Sequence, residues 1–142
     1  MNATEANPNA ASGADTPSPR ILIVDDEQHM QVLASSIIGR LGFEPETAAS
    51  GEEAVTIFRE ARENGAPFEA VVMDLALPGG MSGLEATIAI KQLDPGARVI
   101  VCSGYLEQNA RSAALEHGFA GILPKPYTAD RLSSELRYVL KG

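Results

Sequence analysis

The chain is 142 residues long, enough for one compact domain, and its 44% apolar and 21% charged residues match an ordinary soluble globular protein. Its formal charge of −8 argues against nucleic acid or an anionic membrane as a direct partner, since both would be repelled. No apolar run approaches the ~20 residues needed to span a bilayer, and the opening MNATEANPNAASGADTPSPR lacks the apolar core of a signal peptide.

A single cysteine, Cys102, lies in an apolar run, so there is no disulfide framework and a reducing, cytoplasmic compartment is expected. Residues 1–19 show no hydrophobic periodicity and cannot bury enough apolar area to offset their ordering entropy. A flexible tail or linker is expected there, with the folded domain over 20–142.

From Arg20 onward short apolar runs alternate with helical patterns. ILIV (21–24) reads as a strand, and Met30, Leu33, Ile37 and Leu41 recur at helical spacing behind it. A weaker strand, FEPETAA (43–49), leads to a helix with Ala54, Ile57, Phe58 and Ala61 on one face. Ser50 and Glu53 form a capping-box pattern at its start. The strand AVVM (70–73) precedes a helix near 83–93, and RVIVC (98–102) precedes one near 107–117 that Gly118 ends as a C-cap. The short strand GIL (121–123) leads to a last helix, about 129–140, with Thr128 as N-cap and Leu132, Leu136, Val139 and Leu140 inward.

These are five βα units, an α/β fold. Continuous apolar strands fit a parallel sheet covered on both faces, and right-handed crossovers then give a doubly wound three-layer sandwich. In such sheets the site lies beyond the carboxyl ends of the strands. There stand Asp25 and Asp26 after strand 1, Asp74 after strand 3, Ser103 after strand 4 and Lys125 after strand 5. Taken singly, the aspartate pair could cap a helix, Ser103 could be a turn residue and Lys125 a solvated loop lysine. Asp74 resists such a reading, because a carboxylate closing an apolar strand costs stability without supplying a turn. Convergence of all five on one edge is the stronger signal.

Three carboxylates facing one lysine leave an excess of negative charge. Two like charges about 4 Å apart repel by roughly 4 kcal/mol at an effective dielectric of 20. Hard oxygen ligands suit Mg²⁺, which also favours phosphate oxygens. A carboxylate nucleophile, a hydroxyl, a lysine and such a metal are the parts needed to form an aspartyl phosphate.

At this point the sequence resembles a receiver domain of two-component response regulators over residues 20–142. The resemblance rests on VDD after strand 1, MDLALPGG around Asp74, SG at 103–104 and KP at 125–126. DLALPGGMSG, CSGY and PKPY are most similar to receivers attached to hybrid sensor histidine kinases. The resemblance implies a flavodoxin-like (βα)5 fold with a five-stranded parallel sheet in order 2-1-3-4-5.

It further implies that Asp74 accepts a phosphoryl group from a sensor histidine kinase or a histidine phosphotransfer domain, in a Mg²⁺-dependent phosphorelay. Asp26 would bind Mg²⁺ directly, Asp25 would help through water, and the Ala76 carbonyl would be a main-chain ligand. Lys125 would pair with Asp74 and then with the phosphoryl group, and the Ser103 hydroxyl would bond a phosphoryl oxygen. Lys125–Pro126 is a candidate cis peptide.

Two departures stand out. Ile122 occupies the position, three before the lysine, where many receivers carry an aromatic switch residue, and one extra glycine at Gly79–Gly80 lengthens the loop after Asp74. His29 and His117 have no ligand spacing and read as helix-surface residues; Cys102 reads as core, and Tyr105 could line the site or pack beside Leu106. Other functions are weaker. A Mg²⁺-dependent phosphatase turning over an aspartyl phosphate usually carries D-x-D on strand 1, a flavodoxin-type module needs a Ser/Thr/Gly cradle absent from DDEQHM, and an interaction-only receiver would not need the intact acidic set.

Overall fold

The three central strands are aliphatic runs that can be buried on both faces, whereas the edge strands EPETA (44–48) and GILP (121–124) are only partly buried. The computed structural model describes residues 18–104 and 110–141, so most of the expected tail and Tyr105 lie outside the described residues. In chain order the elements are β1 (Arg20–Val24), α1 (Gln28–Arg40), β2 (Glu44–Ala48), α2 (Gly51–Glu63), β3 (Phe68–Asp74), α3 (Gly83–Leu93), β4 (Val99–Ser103), α4 (Ala110–Glu116), β5 (Gly121–Pro124) and α5 (Ala129–Lys141). The sheet is parallel throughout and runs β2-β1-β3-β4-β5, the expected 2-1-3-4-5 order of a flavodoxin-like sandwich.

Alternation along the strands divides the core in two. Leu22, Val24, Val71, Met73, Val99 and Val101 face one side and pack with Ala54 and Phe58 of α2, Ala86 and Ile90 of α3 and Ala114 of α4. Ile21, Ile23, Ala70, Val72, Ile100 and Cys102 face the other, against Met30, Ala34, Ile37 and Ile38 of α1 and Leu132, Leu136 and Val139 of α5. Each large aliphatic or aromatic side chain so buried stabilises the fold by about 1.5–3 kcal/mol before entropy is counted. Both layers grip β1, β3 and β4, which leaves Asp25, Asp74 and Ser103 at the ends of strands held on both faces.

Helix starts follow the sequence signals. Ser82 and Glu85 make a reciprocal capping box on α3, and Thr128 Oγ1 accepts the Arg131 N–H at 3.1 Å. At α2, Ser50 Oγ accepts the Glu53 N–H at 3.1 Å, but the Glu53 carboxylate takes the N–H of Ala49 rather than that of Ser50. Gly118 closes the turn after α4 at φ +89°. On α1 the expected stripe is rotated by one position. Leu33 and Leu41 are exposed, and Ala34 and Ile38 are inward with Met30 and Ile37. Spacings of four, three and one from residue 30 keep the smaller face against the sheet, where Ala34 permits close approach.

The edge strand β5 is tied to α5 by a buried acid. Glu135 accepts the Ile122 N–H at 2.8 Å, satisfying a donor on a strand paired on one side only. A Cβ at Gly121 would strike the Glu135 carboxylate and lie 2.8 Å from Val139 Cγ2, so the glycine makes room for this contact.

Candidate functional site

The site assembles where β1, β3, β4 and β5 end. Asp25 continues β1 by one residue, its N–H donating to the Ala48 carbonyl at 3.0 Å. Its Oδ1 then accepts the Glu27 N–H at 2.9 Å, and Gln31 Nε2 donates to its carbonyl at 2.6 Å, which turns the chain into α1. This geometry buries Asp25 and leaves Asp26 exposed beside it.

Asp74 is the last residue of β3 and is 2% exposed. Its Oδ1 accepts the N–H of Ala76 at 2.9 Å, which places Ala76 at the site's rim. Its Oδ2 faces Lys125, whose Nζ donates to Asp74 Oδ2 and Asp25 Oδ2, both at 3.2 Å. Lys125 is itself fixed by its backbone. Its N–H donates to the Ser103 carbonyl at 2.8 Å, and the Lys125–Pro126 bond is cis, as expected. Ser103 ends β4, half-buried, one residue beyond Cys102, the register partner of Asp74. The edge expected from the sequence thus brings Asp25, Asp26, Asp74 and Lys125 together, with Ser103 and Ala76 on the neighbouring strand end and loop.

Charge follows from this geometry. Oxygens of Asp25, Asp26 and Asp74 lie within 4.8 Å of one another, and Lys125 pairs with Asp25 and Asp74, so one ammonium meets a group of three carboxylates and negative charge is in excess. Burial pushes the Asp25 carboxyl above its ordinary value, against the Glu27 N–H and Lys125, and the charge of Asp74 adds to the rise. Burial also works against the charge on Lys125, but the hydrogen bond to Asp74 and the two carboxylate charges outweigh it and hold the ammonium well above the usual lysine range. Beneath them, burial raises the Cys102 thiol to about 12, so it stays protonated, and raises the Tyr127 phenol as well. Three hard oxygen donors with surplus negative charge, one of them on the exposed Asp26, fit a divalent cation such as Mg²⁺.

A stability consequence can be measured in the metal-free protein. Because Asp25 titrates above its unfolded value of 3.8, the contribution of this group is fully present below pH 3.8 and is lost as pH rises through the folded value. At pH 7 the buried charge is therefore a liability. Asp25→Asn should raise the melting temperature in EDTA at pH 7, with the gain vanishing near pH 3.5, and should weaken the stabilisation that Mg²⁺ gives the wild type. Identical melting temperatures at pH 7 would contradict the electrostatics.

His29 and His117 are exposed and neither belongs to this acidic group, and Cys102 is core, as expected. Two contacts were not legible beforehand. Gly83 opens α3 directly beneath Asp74, and Glu52 of α2 reaches the loop after Asp74. The only sequence signals were the Gly-Gly pair and a glycine at a helix start.

Comparison with known proteins gives a consistent picture. The response regulator receiver domain family matches residues 21–137. The chemotaxis protein CheY of Thermotoga maritima is 33% identical over 123 residues, covering 86% of this chain and 98% of the relative. CheY of Bacillus subtilis is 34% identical over 122 residues, covering 85% and 97%. Among solved structures, the CheX–CheY–BeF3–Mg²⁺ complex from Borrelia burgdorferi aligns with a TM-score of 0.79 at 26% identity, covering 94% of this chain and 98% of that one.

Proposed function

The chain belongs to the response regulator receiver domain family, and on that premise we propose that Asp74 is its phosphoacceptor in a Mg²⁺-dependent phosphorelay. The observation that carries this reading is the fork of Lys125 between two buried carboxylates, one of which closes the central strand β3. A carboxylate oxygen of Asp74 attacks the phosphorus of a phosphohistidine or small acyl phosphate. The P–N or P–O bond to the donor breaks, and the electron pair leaves with the imidazole or carboxylate. Lys125 holds Asp74 oriented beforehand and then neutralises charge on the transferred group. Ser103, at the end of the adjacent strand, is assigned to a phosphoryl oxygen.

Asp26 and Asp25, with Asp74 and the Ala76 carbonyl, would hold Mg²⁺. Bound there, the ion neutralises phosphoryl oxygens and relieves the carboxylate repulsion. A relative's structure with BeF3 and Mg²⁺ on the same fold supports this assignment. The acceptor domain is assigned to residues 20–142, with 1–19 as a tail or linker. The partner is a histidine kinase or histidine phosphotransfer domain, and DLALPGGMSG, CSGY and PKPY favour a receiver of the hybrid-kinase type. Among the described residues no helix is long and apolar enough to cross a membrane.

Incubation with acetyl phosphate and Mg²⁺ should add one phosphoryl group per chain, as a mass increase that EDTA abolishes. Continuous phosphate release far beyond one equivalent, with no labelled protein, would instead favour the phosphatase reading.

A further inference from the structure

The loop from Leu75 to Ser82 joins Asp74 to α3 and carries Ala76. Its ends are fixed by the Ala76 N–H on Asp74 Oδ1 and by the Ser82–Glu85 capping box. Its middle holds two consecutive glycines, the residues with most backbone freedom to lose. Gly79 (φ +65°) and Gly80 (φ +35°) both take left-handed conformations and turn the chain toward the start of α2. There Glu52 Oε2 accepts the Met81 N–H at 2.9 Å. A Cβ on Gly80 would lie 2.5 Å from the same oxygen, so this glycine lets the carboxylate approach. Gly51 completes the seat: a Cβ there would lie 3.0 Å from the Met81 carbonyl oxygen.

Glu52 is exposed and is not needed to cap its own helix, a task that falls to Ser50 and Glu53. Its carboxylate is spent on the loop.

We infer that Glu52 is a positioning residue for phosphorylation, clasping the glycine-lengthened loop so that Ala76 and the Asp74 oxygens keep their register with Lys125. The inference rests on Asp74 being the acceptor. A charge-assisted hydrogen bond at Met81, directly after Gly79 and Gly80, restricts two glycines that would otherwise sample many conformations, and reacting groups displaced by ~1 Å can lose ~100-fold in rate.

The test compares wild type, Glu52→Ala and Glu52→Gln under saturating acetyl phosphate and Mg²⁺, with hydrogen exchange at the Met81 amide followed in metal-free protein. In Glu52→Ala, exchange at Met81 should rise about tenfold, and the labelling rate should fall about tenfold. Glu52→Gln keeps an acceptor oxygen and should recover most of both. All three melting temperatures should agree within about 3 °C, because the residue is exposed. A Glu52→Ala labelling rate within twofold of wild type overturns the clasp, and so does a Glu52→Gln protein as slow as the alanine variant. A wild type that takes no label overturns the phosphoacceptor reading and this inference with it, whatever the exchange at Met81.

Discussion

Lys125→Ala is expected to lower the rate of phosphoryl labelling by roughly 100- to 1000-fold, the usual cost of losing one preorganised charge-stabilising donor. The lysine bonds Asp74 Oδ2 and Asp25 Oδ2 at once, so its loss frees the acceptor's orientation and removes the positive charge on which the transferred group would rest. Stability should change too. Deleting one partner of a buried ion pair leaves the other uncompensated, which costs about 3–5 kcal/mol in well-buried cases. Asp25 also loses the influence of Lys125 that lowered its pKa, so its carboxyl rises further above 3.8. A raised folded value stabilises at low pH and is lost as pH climbs through it. The deficit of Lys125→Ala against wild type should therefore widen from pH 4 to pH 7.5 in EDTA, and saturating Mg²⁺ should narrow it. Melting curves and labelling time courses on the same samples read both effects. A pH-independent deficit, or labelling within threefold of wild type, would contradict the role assigned to the lysine.

Gly83→Ala should cut labelling by ~100-fold through geometry alone. A Cβ at Gly83 would strike the carbonyl oxygen of Asp74 and lie 2.8 Å from Leu75 Cα. Both are backbone atoms, unable to step aside as a side chain would, so α3 or the end of β3 must shift. Overpacking of this kind costs about 1–3 kcal/mol. Gly39 serves as the control. It lies exposed in α1 with nothing within 4 Å of a Cβ, and Gly39→Ala should stabilise by about 0.5–1 kcal/mol and leave labelling unchanged. Equal labelling by the two variants would show that the approach of α3 to Asp74 does not position the acceptor.

The central strands were readable because helices cover both faces of the sheet, so each of them appears as an apolar run that a single carboxylate or serine visibly ends, whereas the polar edge strand EPETA gave only a weak signal. Asp74 after AVVM and Ser103 after VIVC are such endings. The site followed, because parallel topology sends every strand's carboxyl end to one edge. Side-chain choices on a helix were harder. Leu33 and Ala34 are neighbours about 100° apart on α1, and hydrophobicity favours the leucine although the tight approach to the sheet takes the alanine. Glu135 stands outside the inward set expected of α5, yet it is buried against Gly121, where it accepts the Ile122 N–H of β5. The Glu52 clasp joins residues 29 apart through a turn that exists only once the two glycines have adopted positive φ. Such pairings belong to the assembled structure, and no local pattern carries them. Ile122, with its stiff β-branched side chain, is half-buried beside the core. If Asp74 is phosphorylated as proposed, backbone and loop shifts rather than a turning aromatic ring at this position are expected to carry the change to the surface of α4, β5 and α5.

The most direct measurement is the position of the phosphoryl group. Wild-type protein labelled with acetyl phosphate and Mg²⁺ would be trapped by borohydride reduction of the acyl phosphate, digested and sequenced by mass spectrometry beside Asp74→Asn treated identically. One modified residue is expected in the wild type, Asp74 reduced to homoserine, and no label on the asparagine variant. Undiminished labelling of Asp74→Asn, or a wild-type label on Asp25, Asp26 or Ser103 with Asp74 unmodified, would contradict this expectation.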